Sequence, residues 1–256
     1  MNKEIIGQFA ITLYTANNYD EAFDAYYQLV KKTGFDAVCY SYMPQIITAS
    51  QLSVSPIIKS SGSLYEAFLH NYLEYDMIKN DPLVRLIIEG HTETIDWWKE
   101  AKKSDFLEKD YAQEQLELIK THYGIQNGIT IPTMSGQRGI AGGSVITTLT
   151  DNEFKKLKDK HLVTLEIATK MFHDFTLSHP QSLNTFVLPL FPGLTEKEIK
   201  VIQYLLTGKP MKGVEDVTDI STKYAEKLLI NIRKKFGNIS TNELIHQISV
   251  FDIFNK

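Results

Sequence analysis

The sequence has few of the features that stabilise secreted or membrane proteins. Cys39 is the one cysteine among 256 residues, which excludes an internal disulfide and a metal site built on cysteines. Its neighbours in segment 37–40 predict a small buried side chain. No apolar run approaches the length of a membrane span, and the N-terminus lacks the pattern of a signal peptide. We therefore expect a cytoplasmic protein with no membrane partner.

Charge is also modest. The formal net charge of −4 argues against a protein that binds nucleic acid with its whole surface. From residue 190 onward, however, ten Lys and Arg outnumber eight Asp and Glu, and segment 222–236 has five basic residues against Glu226 alone. A weakly basic C-terminal segment in an otherwise acidic protein is consistent with a small DNA-binding surface. The affinity of such a surface for DNA falls as the salt concentration rises.

Familiar catalytic and metal-binding patterns are absent from the sequence. None of the seven histidines stands at metal-ligand spacing with another ligand. There is no Gly-x-Ser-x-Gly elbow and no phosphate-binding loop, and Asp81 has no accompanying nucleophile. We therefore expect no enzyme activity, no cofactor and no metal site.

The most informative stretch is residues 194–237, in which helix start and stop signals alternate. The capping box Thr195-x-x-Glu198 precedes an apolar stripe, and a glycine ends that helix. Two short helices joined by a turn follow, and a second box, Ser240-x-x-Glu243, opens a fourth helix. Polar and basic side chains mark the third helix: Lys223, Lys227, Asn231, Arg233, Lys234 and Lys235. The pattern describes a helix-turn-helix, although a structural bundle with solvated lysines also fits it.

Residues 1–176 mix helical and strand patterns. Helical patterns occupy segments 3–14, 18–33, 63–75, 82–89, 105–122 and 151–175, the last capped by Asp151. Strand patterns occupy segments 35–43, 46–58, 129–134 and 140–148, with a turn at 135–139. This order predicts a mixed antiparallel sheet covered by helices and not a parallel βαβ array.

Two further features concern the connection between the halves and the long helix before it. Residues 177–193 form a linker that is polar at first and then apolar enough to dock on one of the domains.

The helix at 151–175 has one apolar stripe, which is predicted to pack on its own sheet: Phe154, Leu165, Ala168, Phe172 and Phe175.

Both halves resemble consecutive domains of LuxR-type transcription regulators. The C-terminal likeness rests on Leu194-Thr195-x-Lys-Glu198, Gly208-Lys209, Ile220-Ser221 and Asn231-Ile232-x-x-Lys235-Phe236-Gly237. The N-terminal likeness rests on Phe68-x-x-x-Tyr72, Asp81-Pro82, Trp97-Trp98 and Tyr123-Gly124-Ile125-x-x-Gly128-Ile129-Thr130-Ile131-Pro132. These runs stand in the family's order and together cover nearly the whole chain.

The resemblance implies an α+β protein. Residues 1–176 are then a ligand (autoinducer)-binding domain, an α/β/α sandwich with a central antiparallel sheet, followed by the linker at 177–193. Residues 194–256 are then an all-α, four-helix helix-turn-helix domain that binds DNA. Part of the helix at 151–175 is also implied to support a homodimer, as a two-fold operator requires.

The resemblance also implies a buried pocket for an N-acyl homoserine lactone. Asp81 would accept a hydrogen bond from the ligand amide and would lack that partner in an empty pocket, so ligand binding would be coupled to folding. Tyr72 would face the acyl chain, and either Trp97 or Trp98 would wall the lactone ring. Without the family, Asp81-Pro82 is simply the cap and first residue of a helix, and the aromatic residues are core.

Three more positions complete the implied pocket. Ser144 lies where the family often has a hydroxyl near the acyl carbonyl, and Gly128 would give the backbone room at the sheet. Phe68 replaces a tryptophan that usually donates to the lactone carbonyl, and a lost hydrogen bond of this kind costs about 1–3 kcal/mol. Two ligand classes therefore stay open: an N-acyl homoserine lactone, or a related small amphiphile with a less polar head.

In the second half, the resemblance implies DNA contacts from seven residues: Ser221, Lys223, Tyr224, Lys227, Asn231, Lys234 and Lys235. The implied function is a ligand-responsive, quorum-sensing transcription regulator that acts as a homodimer, with DNA and RNA polymerase as partners. Gly213 and Glu215 replace the usual Glu and Ala in the preceding helix, where Gly weakens a helix by about 1 kcal/mol and Glu takes the place of a small packed residue. These departures motivate an alternative, an interaction protein that dimerises but no longer reads DNA.

Overall fold

The structure of the protein is a computed structural model that describes residues 3–43, 57–74, 77–101, 117–136, 139–178 and 194–249. The chain divides into two compact units. The described part of the first unit ends at residue 178, and that of the second begins at residue 194. None of the described helices combines the length and the apolar character needed to cross a bilayer.

The first unit has a mixed α/β fold. Its described strands are β1 (Ala37–Met43), β2 (Ile57–Ser61), β3 (Ile95–Asp96), β4 (Asn127–Met134) and β5 (Ile140–Thr147). Its described helices are α1 (Lys3–Tyr14), α2 (Tyr19–Thr33), α3 (Ser63–Glu74), α4 (Pro82–Ile88), α5 (Trp97–Ala101), α6 (residues 117–123) and α7 (Asp151–Ser178). A 3-10 turn, Met77–Asn80, precedes α4.

These strands form one antiparallel sheet in the order β2-β1-β5-β4-β3. Helices α1, α2 and α7 pack together on one face of it, and α3, α4 and α5 contact the other face. The predicted antiparallel sheet covered by helices is thereby confirmed. Because side chains alternate between the two faces of a strand, every second residue of β1, β4 and β5 lies under α3, α4 and α5.

An aromatic core fills the layer between the sheet and helices α2 and α7. The rings of Tyr26 and Phe172 stack with their centroids 5.0 Å apart, and Tyr40 meets Phe172 edge-on at 5.0 Å. Both hydroxyls are satisfied inside this layer. Tyr26 hydrogen-bonds Thr169 at 2.7 Å, and Tyr40 hydrogen-bonds Nδ1 of His173 at 2.6 Å. The core therefore combines close aromatic packing with paired polar groups.

Helix α7 contributes its whole apolar stripe to the core. The five residues of this stripe are all buried: Phe154, Leu165, Ala168, Phe172 and Phe175. The stripe packs on its own sheet, as the sequence predicts. Buried side chains cannot contact a second copy, so these five residues are not the part of the helix that could support a dimer.

The start of α7 differs from the prediction that Asp151 caps it. Thr150 is the cap, since its N–H and its hydroxyl donate to the Glu153 carboxylate at 3.1 and 2.7 Å and its carbonyl accepts from the fourth residue on. Asp151 is the first helical residue and accepts a hydrogen bond from Asn127 at 3.1 Å. The Glu153 carboxylate reaches back to the N–H of residue 150, which is one half of a capping box, so the helix begins one residue after Thr150.

Several predicted segments are only partly covered. The structure describes residues 57–58 of the predicted strand at 46–58 and residues 117–122 of the predicted helix at 105–122. It describes residues 135, 136 and 139 of the predicted turn at 135–139. The predicted linker beyond residue 178 lies outside the described residues. Strand β2 begins at Ile57, and residues 117–123 are helical. The sequence pattern does not predict β3 or α5, because two and five residues are too few to show a period.

In its described residues the second unit is all-helical. It consists of α8 (Glu196–Leu206), a 3-10 turn (Met211–Gly213), α9 (Glu215–Thr218), α10 (Thr222–Lys235) and α11 (Thr241–Ser249). Both capping boxes are present, since Thr195 and Glu198 bond reciprocally, as do Ser240 and Glu243. Gly208 follows α8 with φ 71°, a conformation that favours glycine after a helix.

Candidate functional site

A cavity lies on the face of the sheet that α3, α4 and α5 cover. Its volume is about 190 Å³, larger than an apolar cavity of ~150 Å³ that holds benzene. Most of its wall is apolar or aromatic. Six of the seven predicted ligand-binding residues line it: Phe68, Tyr72, Asp81, Trp97, Trp98 and Ser144. The structure thus gathers residues from α3, α4, α5 and β5 around one space.

Asp81 has a structural role and also lines the cavity. Its carboxylate caps α4 by accepting the Leu83 N–H at 2.7 Å, and Pro82 takes the first helical position. The same carboxylate accepts a hydrogen bond from the Tyr72 hydroxyl at 2.5 Å. Burial raises the pKa of Asp81, and these hydrogen bonds oppose that rise. The helix-cap interpretation is therefore correct, and it leaves the carboxylate in the cavity wall.

A row of polar groups crosses the sheet beneath the cavity. Strand register places Cys39, Ser144 and Thr130 side by side on β1, β5 and β4. The Trp97 indole N–H donates to Thr130 Oγ1 at 2.8 Å, and Thr130 and Ser144 are hydrogen-bonded at 2.8 Å. Trp97, Thr130 and Ser144 hold three polar hydrogens and share two bonds, so one remains for a ligand. The Tyr65 side chain also lines the cavity.

Phe68 lies at the centre of the aromatic wall. Its ring centroid is 5.5 Å from that of Tyr123, 5.6 Å from Tyr72 and 6.4 Å from Trp97. Gly128 does not line the cavity but lies against the Trp97 indole, where a Cβ would be 2.8–3.0 Å from three ring atoms. The glycine therefore gives room to the wall residue and not directly to a ligand.

Trp97 and Trp98 both line the cavity. The Trp98 indole N–H donates to the Gln126 carbonyl, and that of Trp97 donates to Thr130. Both indole donors are therefore used within the protein. Since Phe68 has no donor, this wall offers no indole N–H to a ligand carbonyl.

Three polar wall residues are missing from the predicted ligand-binding set, although Thr130 stands in one of the family motifs. Tyr65 lies one helical turn before Phe68, and Thr130 lies two residues after Gly128 on β4, so helical and strand periodicity could have placed both on this wall. Cys39 is the third, and it is buried as predicted. Burial raises the pKa of its thiol to about 12, so it is a neutral, weakly reactive group at neutral pH.

In the second unit, α10 has a buried and an exposed face. Ala225, Leu228 and Ile232 are buried. The seven predicted DNA-contacting residues are exposed: Ser221, Lys223, Tyr224, Lys227, Asn231, Lys234 and Lys235. Lys223 and Lys227 are one helical turn apart on the face opposite the buried residues. Ser221 occupies the N-cap position without a side-chain capping bond.

Lys235 is engaged in an ion pair. Its Nζ lies 2.7 and 2.8 Å from the two carboxylate oxygens of Glu198, whose side chain is 4% exposed. Burial by itself raises the pKa of Glu198, but the bonds from Lys235 and Thr195 outweigh burial and lower it overall. Lys235 thus ties α10 to α8, and a DNA contact by this residue would compete with the pair.

The departures at Gly213 and Glu215 fit their surroundings. A Cβ at Gly213 would lie 2.8 Å from the hydroxyl oxygen of Tyr204, which donates to the Pro210 carbonyl at 2.7 Å. Gly213 lies in the 3-10 turn and not inside α9. The prediction that this glycine weakens the helix is therefore wrong. Glu215 is exposed at the start of α9 and displaces no packed side chain.

Comparisons with known proteins show the family of the first unit and a likeness in fold over a longer part of the chain. The family described as autoinducer binding domain matches residues 18–175. The crystal structure of Escherichia coli SdiA has a TM-score of 0.57 and 10% identity over 99% of both chains. The structure of SdiA in complex with octanoyl-rac-glycerol has a TM-score of 0.56 and 11% identity, over 99% of this chain and 96% of that chain. CepR2 from Burkholderia cenocepacia, an N-acylhomoserine lactone dependent LuxR family transcription factor, has a TM-score of 0.48 and 13% identity over 70% of this chain and 95% of its own. No curated protein sequence matches the chain.

Proposed function

The chain belongs to the family of proteins with an autoinducer-binding domain, and on this premise we propose that it is a ligand-responsive transcription regulator. The cavity beside Asp81 binds a small amphiphilic signal molecule, and residues 194–256 bind DNA as part of a homodimer. The observation that carries the proposal is the cavity itself, in which an apolar wall surrounds a carboxylate and a row of hydroxyl groups.

The available hydrogen bonds favour one class of head group. Asp81 can accept from an amide or hydroxyl, and the row through Thr130 and Ser144 can supply one donor. No indole donor is left for a second carbonyl, such as that of a lactone. SdiA has been solved with octanoyl-rac-glycerol, whose head carries hydroxyl groups and a single ester. We therefore favour an acyl chain with a hydroxylated head over an N-acyl homoserine lactone.

Mass spectrometry of small molecules extracted from the purified protein tests the ligand. An acyl compound should be recovered from the wild type and lost from Asp81→Asn, which keeps an oxygen to cap α4. Octanoylglycerol should raise the midpoint of thermal unfolding more than N-octanoyl homoserine lactone. A ligand at about 100 times its Kd adds roughly 2.7 kcal/mol of stability. No recovered compound, together with no shift from either probe, would contradict the ligand proposal.

The DNA-binding proposal is supported by the arrangement of α9 and α10. The two helices are joined at Asp219, whose φ of 56° makes a tight turn, and α10 exposes Lys223 and Lys227. Fluorescence polarisation with DNA from upstream of its own gene tests it. Replacing both lysines by alanine should lower affinity and reduce the slope of log affinity against log salt by about four for the homodimer, or about two for each copy.

A matched control separates local contacts from net charge. Lys155→Ala with Lys156→Ala changes the net charge by the same amount at exposed positions of α7, and it should leave the slope unchanged. An unchanged slope in the α10 variant would refute these contacts.

The alternative, an interaction protein that dimerises without reading DNA, rests on Gly213 and Glu215. Gly213 accommodates Tyr204, and Glu215 is exposed, so neither position favours the alternative. Saturable, sequence-dependent binding in the same assay would exclude it.

A further inference from the structure

The exposed face of α10 contains an apolar side chain among lysines. Ile230 is 52% exposed, with the exposed Lys227 one helical turn before it and the exposed Lys234 one turn after it. Because successive residues of a helix are rotated by about 100°, the buried Leu228 and Ile232 lie on the opposite side of α10. Single exposed apolar residues are common on protein surfaces, so the position of this one is informative and its exposure alone is not. Ile230 lies in the middle of the basic face of α10.

Glu226 adds a negative charge to the same face. It lies one helical turn before Ile230 and is exposed. Within the described parts of the chain it forms no ion pair. A carboxylate near DNA is repelled by the phosphate groups, and phosphate oxygens have no hydrogen to donate to it. Glu226 therefore favours DNA only where a base edge provides a donor.

The major groove of DNA offers a partner for each of these two side chains. It admits an α-helix, and within it thymine exposes a C5-methyl group and cytosine exposes an N4 amino donor. The isoleucine side chain has no donor or acceptor and is too short to reach a phosphate at the rim of the groove, whereas the longer lysine side chains can do so. Adenine also exposes an amino donor, but its neighbouring N7 acceptor repels a carboxylate. The chemistry therefore favours thymine for Ile230 and cytosine for Glu226.

We propose that Ile230 contacts the C5-methyl group of a thymine and that Glu226 accepts a hydrogen bond from the amino group of a cytosine. The inference rests on the proposed function, because it assigns bases to the DNA-binding unit. The two residues are four positions apart, which is about 6 Å along the helix axis, and base pairs are stacked about 3.4 Å apart. The thymine and the cytosine therefore lie within about two base-pair steps of each other in each half-site.

Selection of duplexes from a random pool by the full chain, with and without octanoylglycerol, tests these contacts. The wild type should select a thymine and a cytosine at this spacing. Ile230→Ser should lose the preference for thymine. Glu226→Gln should change the preferred cytosine to adenine, because a glutamine amide pairs with adenine N6 and N7. Val217→Ser alters a 61% exposed apolar residue of α9 and should keep both preferences.

Replacement of the selected thymine by uracil tests the methyl contact directly, since uracil lacks only that methyl group. Fluorescence polarisation should show a Kd about fourfold higher for each thymine replaced, the equivalent of one buried methylene group. Ile230→Ser should bind the thymine and uracil duplexes equally, whereas Val217→Ser should show the same difference as the wild type. A coupling of this kind between one side chain and one methyl group indicates that the two are in contact.

The outcomes separate this inference from the proposed function. Equal binding of the thymine and uracil duplexes by the wild type overturns the thymine contact, and this test does not depend on the folding of any variant. A Glu226→Gln protein that still selects cytosine overturns the cytosine contact. Either result leaves the proposed DNA binding intact. A wild type that selects no sequence overturns the inference together with the DNA-binding proposal.

Discussion

The Tyr72 hydroxyl donates to Oδ2 of Asp81 at 2.5 Å, and Oδ1 of the same carboxylate caps α4. Each carboxylate oxygen therefore has a donor within the protein. This differs from the expectation that an empty pocket leaves Asp81 without a partner. A ligand donor that approaches Oδ2 shares it with Tyr72 or displaces Tyr72, so ligand selection at this oxygen depends on the pair and not on Asp81 alone.

Tyr72→Phe is expected to destabilise the ligand-free protein and to increase the stabilisation that a donor ligand provides. The change removes one hydrogen bond to a charged group, which costs about 1.5–3 kcal/mol, and it removes the competitor for Oδ2. Thermal unfolding with and without octanoylglycerol measures both effects. Tyr27→Phe removes a hydroxyl outside the cavity wall and serves as the control. An equal ligand shift in Tyr72→Phe and wild type would mean that the ligand does not reach Oδ2.

The positions of Asp81 and Tyr72 could be predicted from motif spacing, but their hydrogen bond could not. Sequence periodicity identifies α3 and α4 as helices, and the Asp-Pro pair marks where α4 begins. The distance between the two side chains depends on how the helices pack across the 3-10 turn that joins them. Local sequence patterns contain no information on how α3 and α4 pack against each other.

The second unit shows the same limit. The motif that contains Lys235 suggests a DNA contact, whereas Lys235 is bonded to Glu198, 37 positions earlier in the chain. Gly213 departs from the family pattern, and only the position of Tyr204 explains it. Secondary structure and capping boxes follow from neighbouring residues and were predictable. Pairings between distant residues are set by tertiary packing.

Gly128→Ala is expected to destabilise the first unit and to weaken ligand binding. The added methyl would lie 2.8 Å from the Trp97 indole, and overpacking of this kind costs about 1–3 kcal/mol. It would also disturb the bond from Trp97 to Thr130, which anchors the polar row. Both tryptophans of the chain belong to the first unit, so urea unfolding followed by their fluorescence measures its stability.

A double variant tests the cause of that loss. Trp97→Phe replaces the indole by a smaller ring and should recover part of the stability lost in Gly128→Ala. If Gly128→Ala costs the same free energy with Phe or Trp at position 97, the contact between the two residues is not responsible.

Glu198→Gln is expected to weaken the second unit and to remove part of its acid sensitivity. Burial opposes ionisation of Glu198, but Lys235 and Thr195 outweigh it, so the folded pKa is below the unfolded value of about 4.5. The stability from this carboxylate is present above the unfolded pKa and is lost as the pH falls through the folded pKa. Amide hydrogen exchange of α8 and α10 against pH measures it.

Two lysine variants serve as the comparison for Glu198→Gln. Lys235→Ala should increase exchange in both helices because it leaves a buried carboxylate unpaired, while the exposed Lys234→Ala should not. Equal exchange in the two lysine variants would mean that the Lys235 pair does not stabilise the unit.

Acid is expected to destabilise the first unit through His173. Its Nδ1 is bonded to the Tyr40 hydroxyl at 2.6 Å, and burial lowers the pKa of His173 to about 4, with Asp174 acting weakly in the opposite direction. Above the unfolded pKa of about 6.5 the imidazole is neutral in both states, and the full stability is present. Below it, the unfolded chain binds a proton that the folded chain does not, so stability falls by about 2 kcal/mol by about pH 5 and further as the pH nears the folded pKa.

His173→Gln keeps a partner for Tyr40 without titrating, and its urea midpoint should change less between about pH 7 and about pH 5 than that of the wild type. His70→Gln alters an exposed histidine and should retain the wild-type pH dependence. If His173→Gln loses as much stability as the wild type over this range, another group is responsible for the acid sensitivity.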